Sequence, residues 1–147
     1  MKYKHEIEIS LPRQKVIDLF DNQDNIKKWQ PGLVSFKHLS GEPGEVGAKS
    51  LLHYDMGKRK VDMIETITKK NFPDEFSGTY EAKGVFNKID NHFIELGPNT
   101  TKWVAVNEFI MNNLMMKLMA FLMPGAFKKQ SYKYMQYFKD FAEKKHD

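Results

Sequence analysis

An α+β fold is what this sequence predicts: a curved antiparallel sheet of about six to seven strands wrapped around a long C-terminal helix. Three observations carry the expectation. One alternating segment is followed by two short helical ones. Six alternating segments then run on with no helix between them, and a long amphipathic stretch closes the chain. Strands that follow one another without crossover helices pair as an antiparallel meander. A twisted sheet of that size curls, and the last helix must bury its apolar face in the curl.

The elements follow in order. Residues 4–10 alternate, with His5, Ile7 and Ile9 on one side and Lys4, Glu6 and Glu8 on the other, the period of a strand. Ser10 reads as the N-cap of a helix that tolerates Pro12 in its first turn and places Val16, Ile17, Leu19 and Phe20 at helical spacing. Asp24-Asn25 starts a second short helix through Ile26 and Trp29, and Pro31-Gly32 ends it. From Leu33 the period becomes two: Val34, Phe36 and His38 oppose Ser35, Lys37 and Leu39. Strands are expected over 46–56 and 59–70, joined at Gly57-Lys58 as a hairpin. Further strands fall near 75–83, 85–96 and 100–111, with Gly84 and Asp90-Asn91 blurring the middle limits. After Asn112-Asn113 comes an almost wholly apolar run over 114–123, interrupted by Pro124-Gly125. A helix over 127–145 follows, with Phe127, Ser131, Tyr134, Phe138 and Phe141 on one face.

A chain of 147 residues has the size of one domain, taken here as 1–147. Apolar residues at 41% and charged residues at 29% are globular values. The absence of cysteine excludes a disulfide framework, thiolate catalysis and Cys-type zinc sites. His5, His38, His53, His92 and His146 are scattered without ligand spacing, so no metal is expected. No phosphate loop, nucleophile elbow or paired-carboxylate motif occurs, and no cofactor is expected. The net charge of +4 comes almost wholly from lysine, the arginines being Arg13 and Arg59 alone. That is a solvated surface and not a nucleic-acid footprint. The N-terminal residues are charged where a signal peptide turns apolar, and a cytoplasmic location is expected.

Strand alternation nominates an interior. Trp103, Ala105, Asn107 and Phe109 share a face opposite Lys102 and Glu108, which belong in water. An inward Asn107 needs a partner in protein, water or ligand. Phe76, Tyr80 and Ala82 share a face of another strand, and Tyr80 would bring a phenol inward. His53 and Asp55 share a face as well. They could orient a proton shuttle or form the wet side of a half-buried strand, and Tyr54 is favoured over His53 as a wall residue. The run over 114–123 covers about half of a bilayer's hydrocarbon core, too little to span it. It reads as core packing, as a deformable gate of Met115, Met116, Met119, Phe121 and Met123 hinged at Pro124-Gly125, or as a membrane-touching lid. The expected lining is drawn from Trp29, Tyr54, Phe76, Tyr80, Trp103, Asn107, Met115, Met119 and Phe138.

Three segments carry a family resemblance. The stretch from Glu6-Ile7-Glu8-Ile9-Ser10-Leu11-Pro12 to Trp29-Gln30-Pro31-Gly32-Leu33 resembles the opening strand, helix pair and Trp-x-Pro corner of the START-like, or Bet v 1-like, superfamily (SRPBCC proteins, including polyketide cyclase/dehydrase-type members). Gly44-Glu45-Val46-Gly47-Ala48-Lys49 is similar to that family's glycine-rich entry to the third strand. Thr100-Thr101-Lys102-Trp103 and the helix after it resemble its close. The resemblance implies a helix-grip fold. Its members bind lipids, sterols, polyketides and plant hormones, some catalyse cyclisation or hydrolysis, and some act as co-chaperones. The expectation is therefore binding or transport of a hydrophobic small molecule or lipid between sheet and helix. The alternatives are a polyketide cyclase-like or other small-molecule enzyme in the same cavity, and a co-chaperone-like interaction domain. The expected partners are a hydrophobic ligand or lipid, with no nucleic acid and no stable membrane insertion, in a monomer or homodimer. The residues show no convergent pair of titrating groups that would mark an enzyme.

Overall fold

In the computed structural model, which describes residues 1–144, seven strands form one antiparallel sheet in the order β1-β7-β6-β5-β4-β3-β2. They are β1 (Lys2–Ile9), β2 (Leu33–Ser40), β3 (Lys49–Asp55), β4 (Lys60–Asn71), β5 (Glu75–Ala82), β6 (Val85–Gly97) and β7 (Thr100–Met111). Strands β2 to β7 follow one another as a meander. The first strand returns to pair with the last, as in Ile7 against Trp103. Between β1 and β2 lie α1 (Arg13–Asp21), a 3₁₀ turn over 23–25, and α2 (Ile26–Trp29). After β7 come α3 (Leu114–Leu122) and α4 (Pro124–Glu143). This is a helix grip: a curved sheet holding a long C-terminal helix.

The main core lies where α4 meets β1, β6, β7 and the two short helices. Ile7, Ile9, Val16, Ile17, Trp29, Phe93, Trp103, Ala105, Met135, Phe138, Phe141 and Ala142 are all buried there. Its centre is aromatic. Phe20 meets Phe93, Trp103 and Phe138 edge-on, and Trp29 stands at 89° to Trp103. Offset and edge-to-face pairs of this kind add to what area burial alone contributes. A smaller cluster of Leu33, Leu52 and Tyr54 lies under β2 and β3.

Several local expectations are corrected. Ser10 does not cap α1: Pro12 occupies that position in an extended conformation, and the Ser10 N–H donates to Glu143 Oε2 on α4. Val34 does not share the inner face with Phe36. A bulge between Leu33 and Ser35 turns Leu33 inward and leaves Val34 exposed. Strand β6 runs through Asp90-Asn91 without a break. Pro124 opens α4 instead of preceding it, because its missing N–H belongs to a turn that needs no partner there. Lys145 and His146 lie outside the described residues.

Candidate functional site

The concave face is asymmetric. Helix α4 comes closest to β1 and α2, so the half of the sheet made by β1, β7 and β6 is tightly covered. Over β2 to β5 the inward side chains Phe36, Val61, Met63, Glu65, Tyr80 and Ala82 are only half-buried. There Phe36, Val61, Met63 and Tyr80 pack against Leu33, Leu52 and Tyr54, so this half of the concave face is apolar and less covered.

One polar row crosses its floor. Inter-strand partners in an antiparallel sheet project to the same face. The register aligns Ser50 with Glu65, Glu65 with Tyr80, Tyr80 with Asn87, and Asn87 with Phe109. The Tyr80 hydroxyl stands beside the Glu65 carboxyl group. Both residues keep some accessible surface, yet protein crowds their titrating atoms. Burial raises the Glu65 pKa above the ordinary carboxylate value, and the neighbouring Tyr80 hydroxyl only partly offsets it. Burial, with the charge of Glu65 next to it, pushes the Tyr80 phenol well above its usual range. Gly78 lies beside Tyr80: a Cβ there would meet the Tyr80 hydroxyl at an ordinary 3.7 Å but press on the Thr66 carbonyl at 3.0 Å. Tyr54, its pKa also raised by burial, donates to Gln30 Oε1 at 2.6 Å.

A second row brings Gly78, Ile89 and Asn107 together. Asn107 is buried, and its Oδ1 has no partner among the described residues. The same holds for Trp29 Nε1. Asn91, one row further, is satisfied: Trp103 Nε1 donates to its Oδ1 at 2.9 Å.

Of the nine residues nominated from sequence, Tyr54, Tyr80 and Asn107 lie on the two polar rows or beside them. Trp29, Trp103 and Phe138 are buried in the aromatic core, and Phe76 stacks on Phe72 at its edge. Met115 faces outward at 76% exposure, on the same side of α3 as exposed Leu114 and Leu118. The side chain of Met119 lies outside the described residues. Two clefts of about 610 and 580 Å³ open elsewhere, among largely charged side chains such as Lys4, Glu6 and Lys102, or Lys27, Lys28 and Asp140. Neither is lined by any of the nine. The His53–Asp55 pairing does not form. His53 meets Asp62 across the β3–β4 ladder on the outer face. Among the described residues no group of three or more His, Cys, Asp or Glu side chains could hold a metal ion.

Sequence reasoning missed Ser50, Glu65, Asn87 and Asn91. A signal for Glu65 was present: Val61, Met63, Glu65 and Ile67 share one parity, which puts a carboxyl group among inward apolar side chains.

No protein-family model matches the sequence, and no curated protein is similar to it in sequence. Solved structures do resemble it. Zhui aromatase/cyclase from a Streptomyces species superposes with TM-score 0.80 at 12% identity, over 97% of this chain and 93% of that one. Norcoclaurine synthase from Thalictrum flavum, solved with dopamine and hydroxybenzaldehyde, gives 0.73 at 12% identity over 99% and 89%. A conserved protein from Geobacillus kaustophilus gives 0.78 at 15% identity over 100% and 98%.

Proposed function

We propose that this chain, which has the helix-grip fold of the START-like, Bet v 1-like superfamily, is a single ligand-binding domain that reversibly captures a hydrophobic small molecule or lipid. The proposed site is a trough over the less covered half of the concave face, between α4 and β3–β5. One observation carries the reading: a half-covered apolar surface with a few convergent polar groups in its floor, the composition of a small-molecule site. Val61, Met63 and Phe36 supply the apolar wall. Tyr80, Glu65 and the unpaired Asn107 Oδ1 supply the handles. Met63 suits a variable guest because its side chain is flexible and polarisable. The same fold holds two small aromatic molecules in norcoclaurine synthase, which supports a guest of that size here.

A second reading is enzymatic, and the Glu65–Tyr80 pair favours it. A carboxyl group whose pKa is raised by burial, set against a phenol, supplies a proton-transfer group inside an apolar site. Fold likeness to an aromatase/cyclase is compatible with this reading and does not select a reaction.

Native mass spectrometry of freshly purified protein tests the binding reading. The expected spectrum contains a bound species heavier than the chain by one small molecule, which is lost on mild activation. A bare chain that also fails to take up added apolar compounds would contradict it.

A further inference from the structure

Helix α3 does not pack as its composition demands. Its sequence is LMMKLMAFL, with Lys117 its single charged residue. Leu114, Met115, Leu118, Phe121, Leu122 and the following Met123 are each more than half exposed, Leu114 and Phe121 by over 80%. The five helical members recur at i, i+1, i+4, i+7 and i+8, so they form one stripe on one face. Met116 lies on the opposite side. It is half-buried against Gly84, whose neighbour across the contact is Asn113. The attachment is specific. The Asn112 N–H donates to the Gly84 carbonyl, Asn113 Oδ1 accepts from the Met116 N–H, and any side chain at Gly84 would collide with the Asn113 carboxamide. The helix is thus fastened by its back with its apolar face outward. A contiguous apolar patch of this kind marks a contact surface.

Charge selects the partner. Between Glu108 and Asp140 the chain holds five lysines, Lys117, Lys128, Lys129, Lys133 and Lys139, and no acidic residue. Lys117 sits at the rim of the stripe, and Lys129 and Lys133 are exposed on α4 beyond the Met123–Pro124 junction. No described helix is long and apolar enough to cross a membrane. An apolar stripe edged by lysines, too short to span, matches an interfacial helix that buries its stripe among acyl chains and places its ammonium groups on anionic headgroups.

We infer that α3 is a docking helix by which the domain binds peripherally to an anionic lipid surface. This stands independently of what the trough holds. The helix lies in the interface and does not span it, and α4 and the sheet remain outside.

Vesicle co-sedimentation of the full chain tests it. Vesicles of phosphatidylcholine mixed with phosphatidylglycerol should pull the protein down, and vesicles of phosphatidylcholine alone should do so far more weakly. Added salt should release part of the bound protein. Leu118→Glu with Phe121→Glu should weaken binding at least about tenfold, and Lys129→Glu with Lys133→Glu by about tenfold. All four positions are exposed, and far-UV circular dichroism should show both variants folded. Absence of binding to phosphatidylglycerol vesicles at low salt would overturn the inference. So would binding that neither variant alters. A dimer that Leu118→Glu dissociates, with no vesicle binding, would assign the stripe to a second copy of the chain instead.

Discussion

Glu65 on β4 faces Tyr80 on β5 directly across the ladder, and the phenol hydroxyl stands beside the carboxyl group inside the sheet's concave face. The arrangement predicts a pH dependence of stability. The Glu65 pKa rises on folding from an ordinary value of 4.5, with burial as the largest cause. Below that value folded and unfolded chains both hold the proton, and there is no penalty. Above it the unfolded chain releases the proton first, so this residue's contribution is lost as pH rises through the folded-state pKa. Glu65→Gln should therefore become progressively more stable than the parent protein as pH climbs from 4.5. Urea unfolding across pH reads this out. A stability difference that stays constant with pH would contradict it.

The buried hydrogen bond from Trp103 Nε1 to Asn91 Oδ1 gives a second prediction. Trp103→Phe keeps an aromatic ring in the core but leaves the Asn91 oxygen without its donor. A buried acceptor left unsatisfied costs about 1–3 kcal/mol. Thermal unfolding should show a clear drop in midpoint, and an unchanged midpoint would mean that water replaces the lost donor.

Phe138 and Met115 should respond in opposite ways to truncation. Phe138 is fully buried between Trp29, Trp103 and Phe20, so Phe138→Ala should cost about 3–5 kcal/mol. Met115 is exposed on α3, and Met115→Ala should change stability by no more than about 0.5 kcal/mol. Denaturant midpoints compare the two directly. Similar losses at both positions would show that α3 folds its stripe against the body of the protein.

Ala105 looks like room left inside an aromatic face, but it is buried in the same core as Trp103, Met135 and Phe138. Ala105→Trp should overpack this site, at a cost of about 1–3 kcal/mol, and should not block a ligand. Unaltered stability of that variant would reveal unfilled space beside Trp103.

The sheet was legible because its strands alternate cleanly. Residues 100–111 were placed in full, and Trp103, Ala105 and Asn107 do point inward. The bulge at Leu33/Ser35 was hidden, since an extra residue shifts parity without changing composition. The polar row through Ser50, Glu65, Tyr80 and Asn87 was hidden for a different reason. It exists only once four strands are in register, and no local pattern encodes that alignment. The apolar run over 114–123 showed that it must meet something apolar. Whether that partner is this chain's own core or something outside it depends on how Asn112 and Asn113 fasten the helix to Gly84, 28 and 29 residues earlier in the chain.

Capture of an apolar guest in the trough is tested most directly by titrating the protein with a neutral naphthalene-type probe, followed by the probe's own emission. The parent protein should bind saturably at micromolar concentration. Met63→Trp, which fills the trough from its wall, should weaken binding at least about tenfold while circular dichroism shows the fold intact. Tyr80→Phe should weaken it less. Unchanged affinity in Met63→Trp would place the probe outside the trough and contradict the account.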